Sequence, residues 1–290
     1  MALKYLGGLL FVLCGAIFLE GIDVSMIGVA LPSIRTELGM STSALSWVVS
    51  AYVLGYGGFM LLGGRAAFVV FERRSASPLM RLGILRSGAL VRANLGAILL
   101  AGSFFGFQFI AVLYLQELRG WSAFETGLAL MVIGIDSVLA PTLTPRLVSR
   151  FGNVRVIFFG GLCIAAVSYA LFLPVSLDWS YAAMFPTMIL TGIAFALTYG
   201  PLTIAATDGI AEEEQGLAGG LLSTSIQFGA ALGLSVVTAV SIIATGADGS
   251  PQAILEGYRT ALWVPVAAAV LGAAVTAIGL RKRNIVQSNN

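Results

Sequence analysis

Hydrophobic positions in this chain come in unbroken runs, with the charged residues confined to the short stretches between them. Each run is about 20 residues long, the length a helix needs to cross a bilayer. The strands of a membrane barrel would alternate apolar and polar side chains, and the runs do not. Lipid cannot satisfy loose backbone N–H and C=O groups, so the runs predict helices. They lie at 6–31, 44–63, 93–115, 126–144, 154–175, 181–206, 216–244 and 260–280. The expected fold is therefore an all-α integral membrane protein of about eight transmembrane helices.

Composition agrees with the pattern. The 290 residues are 58% hydrophobic and 10% charged, against about a quarter charged in soluble proteins. With both termini on the cytoplasmic side, thirteen of the 16 basic residues fall inside, leaving Arg35, Arg119 and Arg259 outside. That asymmetry follows the positive-inside rule, so the net charge of +2 is a topogenic bias and implies no nucleic-acid partner. Cys14 and Cys163 both lie in apolar runs and suggest no disulfide framework. The absence of histidine excludes His-ligated haem, His-type zinc sites and His acid–base chemistry, and no nucleophile–base pair suggests an enzyme. Lys4 and the apolar stretch after it resemble a signal peptide. Glu20 and Asp23 follow without a small-residue cleavage site, so the stretch reads as an uncleaved first span.

The longest connection, 64–92, mixes the apolar run 68–71 with Glu72, Arg73, Arg74 and Pro78 and reads as a seam between unlike segments. The chain thus divides into two N-terminal helices (1–67), a cytoplasmic connecting segment (68–92) and a six-helix C-terminal domain (93–290).

Candidate chemistry rests on polar residues inside the runs. Glu20 and Asp23 are three residues apart, on one helix face in the outer part of the first span. Asp136 sits near the middle of its run among Ile133, Ile135, Val138 and Leu139. An acid at that depth marks an ion or proton pathway, or is held neutral by a hydrogen bond from a neighbouring helix. Gln108, Tyr199, Gln227 and Asn94 are cavity-lining candidates, or interhelical glue. Gly102 with Gly106, and Gly229 with Gly233, have the spacing of close helix contacts. Tyr199-Gly200-Pro201 predicts a kink or hinge, and Glu212, Glu213 and Glu214 a helix cap.

Several stretches together resemble the 14-helix drug:proton antiporter branch of the major facilitator superfamily. Leu19-Glu20-Gly21-Ile22-Asp23-Val24-Ser25, followed by Val29-Ala30-Leu31-Pro32-Ser33-Ile34, is similar to that branch's first helix with its "ALP.I" ending. Gly64-Arg65-Ala66-Ala67 resembles the start of the superfamily's signature loop, but Phe68 stands where its aspartate belongs and no Gly-Arg-Arg follows. Gly120-Trp121-Ser122 and Gly127-Leu128-Ala129 resemble the opening of the C-terminal half. The run from Pro145 to Arg155, with Arg146, Arg150, Gly152 and Arg155, resembles a second copy of the signature loop.

The resemblance implies a multi-pass protein of the bacterial inner membrane that exports drug-like or cationic small molecules. It would use the proton gradient and no cofactor, and its partners would be the bilayer and the substrate. It makes Asp23, Asp136 and Glu20 the proton or cation groups. The chain matches the first two and last six helices of that family, so about six middle helices are absent, and alternating access normally rocks one repeat against another. The alternative expectation is a non-transporting remnant, or a half-transporter that acts only as a homo-oligomer.

Overall fold

The structure, a computed structural model, describes residues 34–35, 37–41, 44, 87–246 and 249–288. The first two predicted spans, the seam, and Glu20, Asp23, Gly64 and Arg65 lie outside the described residues.

Ser87 starts the first described helix, its hydroxyl accepting from the Leu90 N–H at 3.3 Å, and α1 runs Gly88–Leu113. A π-helical turn, Tyr114–Leu118, extends it. Gly120, at φ +68°, reverses the chain. Ser122 and Glu125 then form a reciprocal capping box that opens α2, Ala123–Leu130. A 3-10 turn, Met131–Ile135, leads into α3, Asp136–Phe151. Gly152, at φ +82°, ends α3. α4 (Asn153–Arg155), a π-helical segment (Val156–Leu162) and α5 (Cys163–Phe172) complete the next crossing. Beyond these come α6 (Tyr181–Thr207), α7 (Glu212–Thr245), α8 (Pro251–Ala261) and α9 (Trp263–Ser288).

Among the described residues, 88–118, 123–151, 181–207, 214–245 and 251–277 are long and apolar enough to span a membrane, and 160–172 is a shorter apolar helix. These are the last six predicted crossings. Two boundaries differ in an instructive way. The final crossing begins at Pro251 rather than Thr260, because Ser250 caps the Ala253 N–H and Pro251 occupies the first turn. α8 buries Leu255, Tyr258 and Ala261 while Gln252, Glu256 and Thr260 face outward, a one-sided pattern that a reading for apolar length misses. α7 begins at Glu212, so the three glutamates are its first turn rather than a preceding cap. The Tyr199-Gly200-Pro201 sequence does not end α6, which stays α-helical through Pro186 and Pro201.

α1 packs most extensively on α7 and also touches α9 and α6. The glycine spacing predicted close backbone approach at Gly102 and Gly106 and at Gly229 and Gly233, and the structure brings the two pairs together. A Cβ on Gly233 would lie 2.1 Å from the Gly102 carbonyl oxygen, and one on Gly229 would lie 2.3 Å from that of Ile98. With no side chain at either position, the two backbones meet directly. Lipid tails are as apolar as leucine, so such close van der Waals packing, rather than hydrophobic burial, drives helix association in a membrane. Deeper in the bundle Phe107 stacks on Tyr169 at 4.9 Å and meets Phe172 edge-on at 5.3 Å. Ser168 binds α5 to α6, its hydroxyl donating to the Thr187 carbonyl at 2.8 Å. The crossing 123–151 is the outlier, with 17% of its apolar window buried against 61% for 88–118. It leans on α6 through the Tyr181 hydroxyl, donating to the Ala129 carbonyl at 2.8 Å, and the Thr144 hydroxyl, donating to that of Ala196 at 3.2 Å.

Candidate functional site

Apolar side chains on the outside of a membrane bundle only face lipid. The informative surface is one that lipid solvates poorly. α1 and α6 present such a surface. Phe104 of α1 lies against Phe195 of α6 at 4.5 Å between ring centroids, and Phe195 stacks nearly parallel on Tyr199 at 5.4 Å. Phe195 and Tyr199 are four residues apart, so the stack runs up one helix face. Tyr199 is 44% exposed. One turn further along α6 the exposed Thr203 bonds back to the Tyr199 carbonyl at 3.0 Å. One turn from Phe104 on α1 lies the half-buried Gln108. The result is a ladder of aromatic rings with polar groups at both ends.

The other polar candidates separate by environment. Asn94 is engaged within the bundle: its amide donates to the Leu90 carbonyl at 2.8 Å, and the Ser225 hydroxyl of α7 donates to its Oδ1 at 2.7 Å. It fastens α1 to α7. Gln227 is half-buried on α7, beside the exposed Phe228. Asp136 does not lie inside a continuous helix. It is the first residue of α3, directly after the 3-10 turn, and that turn packs so closely on α6 that a Cβ on Gly192 would lie 2.2 Å from the Ile133 carbonyl oxygen. Its side chain is half-buried, and the Ser137 hydroxyl lies 3.4 Å from Oδ1. Among the described residues no other helix supplies it a hydrogen-bond partner. A 3-10 stretch inside a helix often marks a hinge.

The signature-loop residues Arg146, Arg150 and Arg155 are exposed around the Gly152 turn. At the opposite end of the bundle lies a cluster that the sequence left unassigned. Arg35 pairs with Glu117, whose other carboxylate oxygen accepts from the Tyr258 hydroxyl at 2.6 Å. Ile34 packs against the core beside it. The Arg119 guanidinium donates to the Leu177 carbonyl at 2.5 Å, and Arg259 Nε donates to that of Val175 at 2.8 Å. The three arginines set apart by the charge count thus share one end of the molecule.

Comparison with known proteins gives this geometry its context. Residues 70–234, more than half of the chain, match the family model of the Major Facilitator Superfamily. The chain belongs to that superfamily. It is 31% identical over 176 residues to the lincomycin resistance protein of Streptomyces lincolnensis, covering 60% of this chain and 36% of that protein. It is 29% identical over 241 residues to the cephamycin export protein CmcT of Amycolatopsis lactamdurans, covering 82% and 49%. It is also 29% identical over 205 residues to the tetracenomycin C resistance and export protein of Streptomyces glaucescens, covering 67% and 37%. The chain spans between a third and a half of the length of the curated relatives it matches.

The ladder was half visible beforehand. Tyr199 stood out as a polar ring in an apolar run, whereas Phe104 and Phe195 looked like ordinary span residues. The spacing from Phe195 to Tyr199 was the available signal. Nothing in the sequence joins Arg35, Glu117 and Tyr258, which are separated by most of the chain.

Proposed function

We propose that this major facilitator protein is a proton-coupled exporter of small drug-like or cationic compounds in the bacterial inner membrane, with both termini in the cytoplasm. The aromatic row of half-buried Phe104 and Phe195 ending in the exposed Tyr199 carries the reading. Ring faces attract flat and cationic molecules, each such contact contributing about 0.5–2 kcal/mol depending on how dry the site is. Gln108 and Gln227 would orient the substrate by hydrogen bonds. Asp136 and Asp23, with Glu20, would bind the coupling proton or cation, and the 3-10 turn before Asp136 would let that carboxyl shift as α3 moves against α6. The relatives named for antibiotic resistance and export support the substrate class. The grouping of Arg35, Arg119 and Arg259 at one end supports that end facing outward.

The test is ethidium efflux from cells expressing the chain, driven by an imposed pH gradient. Asp136→Asn and Tyr199→Ala should each slow efflux at least tenfold, and an uncoupler should stop it. Equal efflux by the chain and by an Asp23→Asn, Asp136→Asn double variant would sink proton coupling through these groups.

A second reading is favoured by the sparse cover of the crossing 123–151. In it the chain is a half-transporter that acts as a homo-oligomer, or a remnant that does not transport. Light scattering of the detergent-solubilised chain separates the two, since a strictly monomeric species excludes the oligomer.

A further inference from the structure

The Gly152 end of the bundle carries a groove that the transport reading does not use. α3 ends at Phe151, and Gly152, at φ +82°, turns the chain into α4 and the π-helical segment. Leu147 and Phe151 on one side, and Arg155, Val156 and Gly160 on the other, line an open and almost wholly apolar groove of about 410 Å³. The turn is anchored, because Asn153 Nδ2 donates to the Pro201 carbonyl of α6 at 2.8 Å. Two arginines border the groove. Arg155 lines it directly, and Arg150 lies 5.3 Å above the ring centroid of Phe151, itself part of the lining. Among the described residues neither arginine meets a carboxylate, whereas Arg35 and Arg259 both do.

We propose that this groove binds an anionic phospholipid, with an acyl chain along Leu147, Phe151, Val156 and Gly160 and the headgroup phosphate between Arg150 and Arg155. A bare apolar groove beside a bilayer accepts any acyl chain, so selection among lipids falls to the charges at its rim. Arginine presents a planar fork that matches phosphate oxygens. The Phe151 ring holds one fork in place before the lipid arrives, which lowers the ordering cost. Basic pockets between membrane helices attract anionic headgroups for this reason. The proposal stands whether or not the protein transports, and on whichever side of the membrane the groove lies.

The test uses the purified full chain in a neutral detergent, titrated with phosphatidylglycerol, phosphatidylcholine or inorganic phosphate. Binding is read by native mass spectrometry and by the thermal unfolding midpoint. Phosphatidylglycerol should bind at least tenfold more tightly than phosphatidylcholine, and less so as salt is raised. Each guanidinium next to an anionic headgroup accounts for about fivefold in affinity, so Arg150→Gln with Arg155→Gln should weaken phosphatidylglycerol about 25-fold and leave phosphatidylcholine unchanged. Arg150→Lys with Arg155→Lys keeps the charge without the fork and should fall between. Phe151→Ala keeps both charges but loses the seat of Arg150 and part of the lining, so it should weaken both lipids. If the glutamine variant fails to fold, the lysine pair and Phe151→Ala carry the decision. Equal binding of the two lipids, or an anionic preference that survives loss of both arginines, overturns the proposal. Displacement of phosphatidylglycerol by inorganic phosphate alone does so too, since the site would then be one for a free anion.

Discussion

The two ends of the bundle use arginine in opposite ways. At the Glu117 end every arginine is occupied: Arg35 by Glu117, Arg119 by the Leu177 carbonyl, and Arg259 by the Val175 carbonyl and Glu256. These side chains hold the loop 173–180, the π-helical turn and α8 together, and Arg35 joins them through Glu117. At the Gly152 end, Arg150 and Arg155 meet no carboxylate among the described residues, and the turn is held instead by the uncharged Asn153. The comparison shows that the inside–outside charge bias counts residues with different duties. A few arginines on the minority side are structural, and their loss should cost stability. On the majority side, Arg150 and Arg155 meet no carboxylate among the described residues, and under the lipid proposal their loss should cost recognition.

Removing the shared acceptor should give the largest effect. Glu117→Ala leaves both Arg35 and the deeply buried Tyr258 hydroxyl without a partner, a loss of about 2–3 kcal/mol visible as a lower thermal midpoint in neutral detergent. Next comes Arg119→Ala, which deletes one charge-assisted bond to the loop and should cost about 1–2 kcal/mol in the same assay. Arg150→Gln with Arg155→Gln should move the lipid-free midpoint by no more than about 0.5 kcal/mol equivalent. A large loss there would erase the contrast between the ends.

The smallest effect is one of pH. The Ser176 hydroxyl donates to Asp178 at 2.6 Å and holds that exposed carboxyl below the usual carboxylate range. A carboxyl with a lowered folded value contributes stability that is present above its unfolded pKa of about 3.9 and is lost as the pH falls through the folded value. Ser176→Ala should therefore lower the thermal midpoint slightly at pH 7, leave it unchanged once Asp178 is protonated, and so make the acid-side fall slightly shallower. An unchanged acid limb would show that the loop takes its stability from Arg119 and Arg259 alone.

Much of the fold was legible because span length and charge placement are set residue by residue. Close packing at Gly102, Gly106, Gly229 and Gly233 was readable, since a bare backbone stripe has few other uses in lipid, but that the two pairs meet each other was not. α8 was not, because its apolar face is one-sided and its polar face dilutes the average over any long window. The candidate site was less legible. Asp136 was identified from its isolation in an apolar run, but its place at the head of α3 depends on a 3-10 turn that packing against Gly192 imposes. Asn94 proved to be a fastener between helices, a role that only the position of Ser225 decides.

By itself the sequence determined that the chain crosses a membrane repeatedly as helices, which way its charges lean, and which superfamily it joins. The first follows from the solvation of each segment alone, since lipid solvates a run of side chains regardless of its neighbours, the second from charge placement in the loops, and the third from the resemblance of short motifs. The tertiary structure decided which polar groups are spent on holding helices together and which remain open. It joined Arg35 and Tyr258 through Glu117, set Phe104 against Phe195, and placed Arg150 and Arg155 beside one groove. Each of these pairs residues from different elements or across a turn, and only a folded bundle fixes the distances between them.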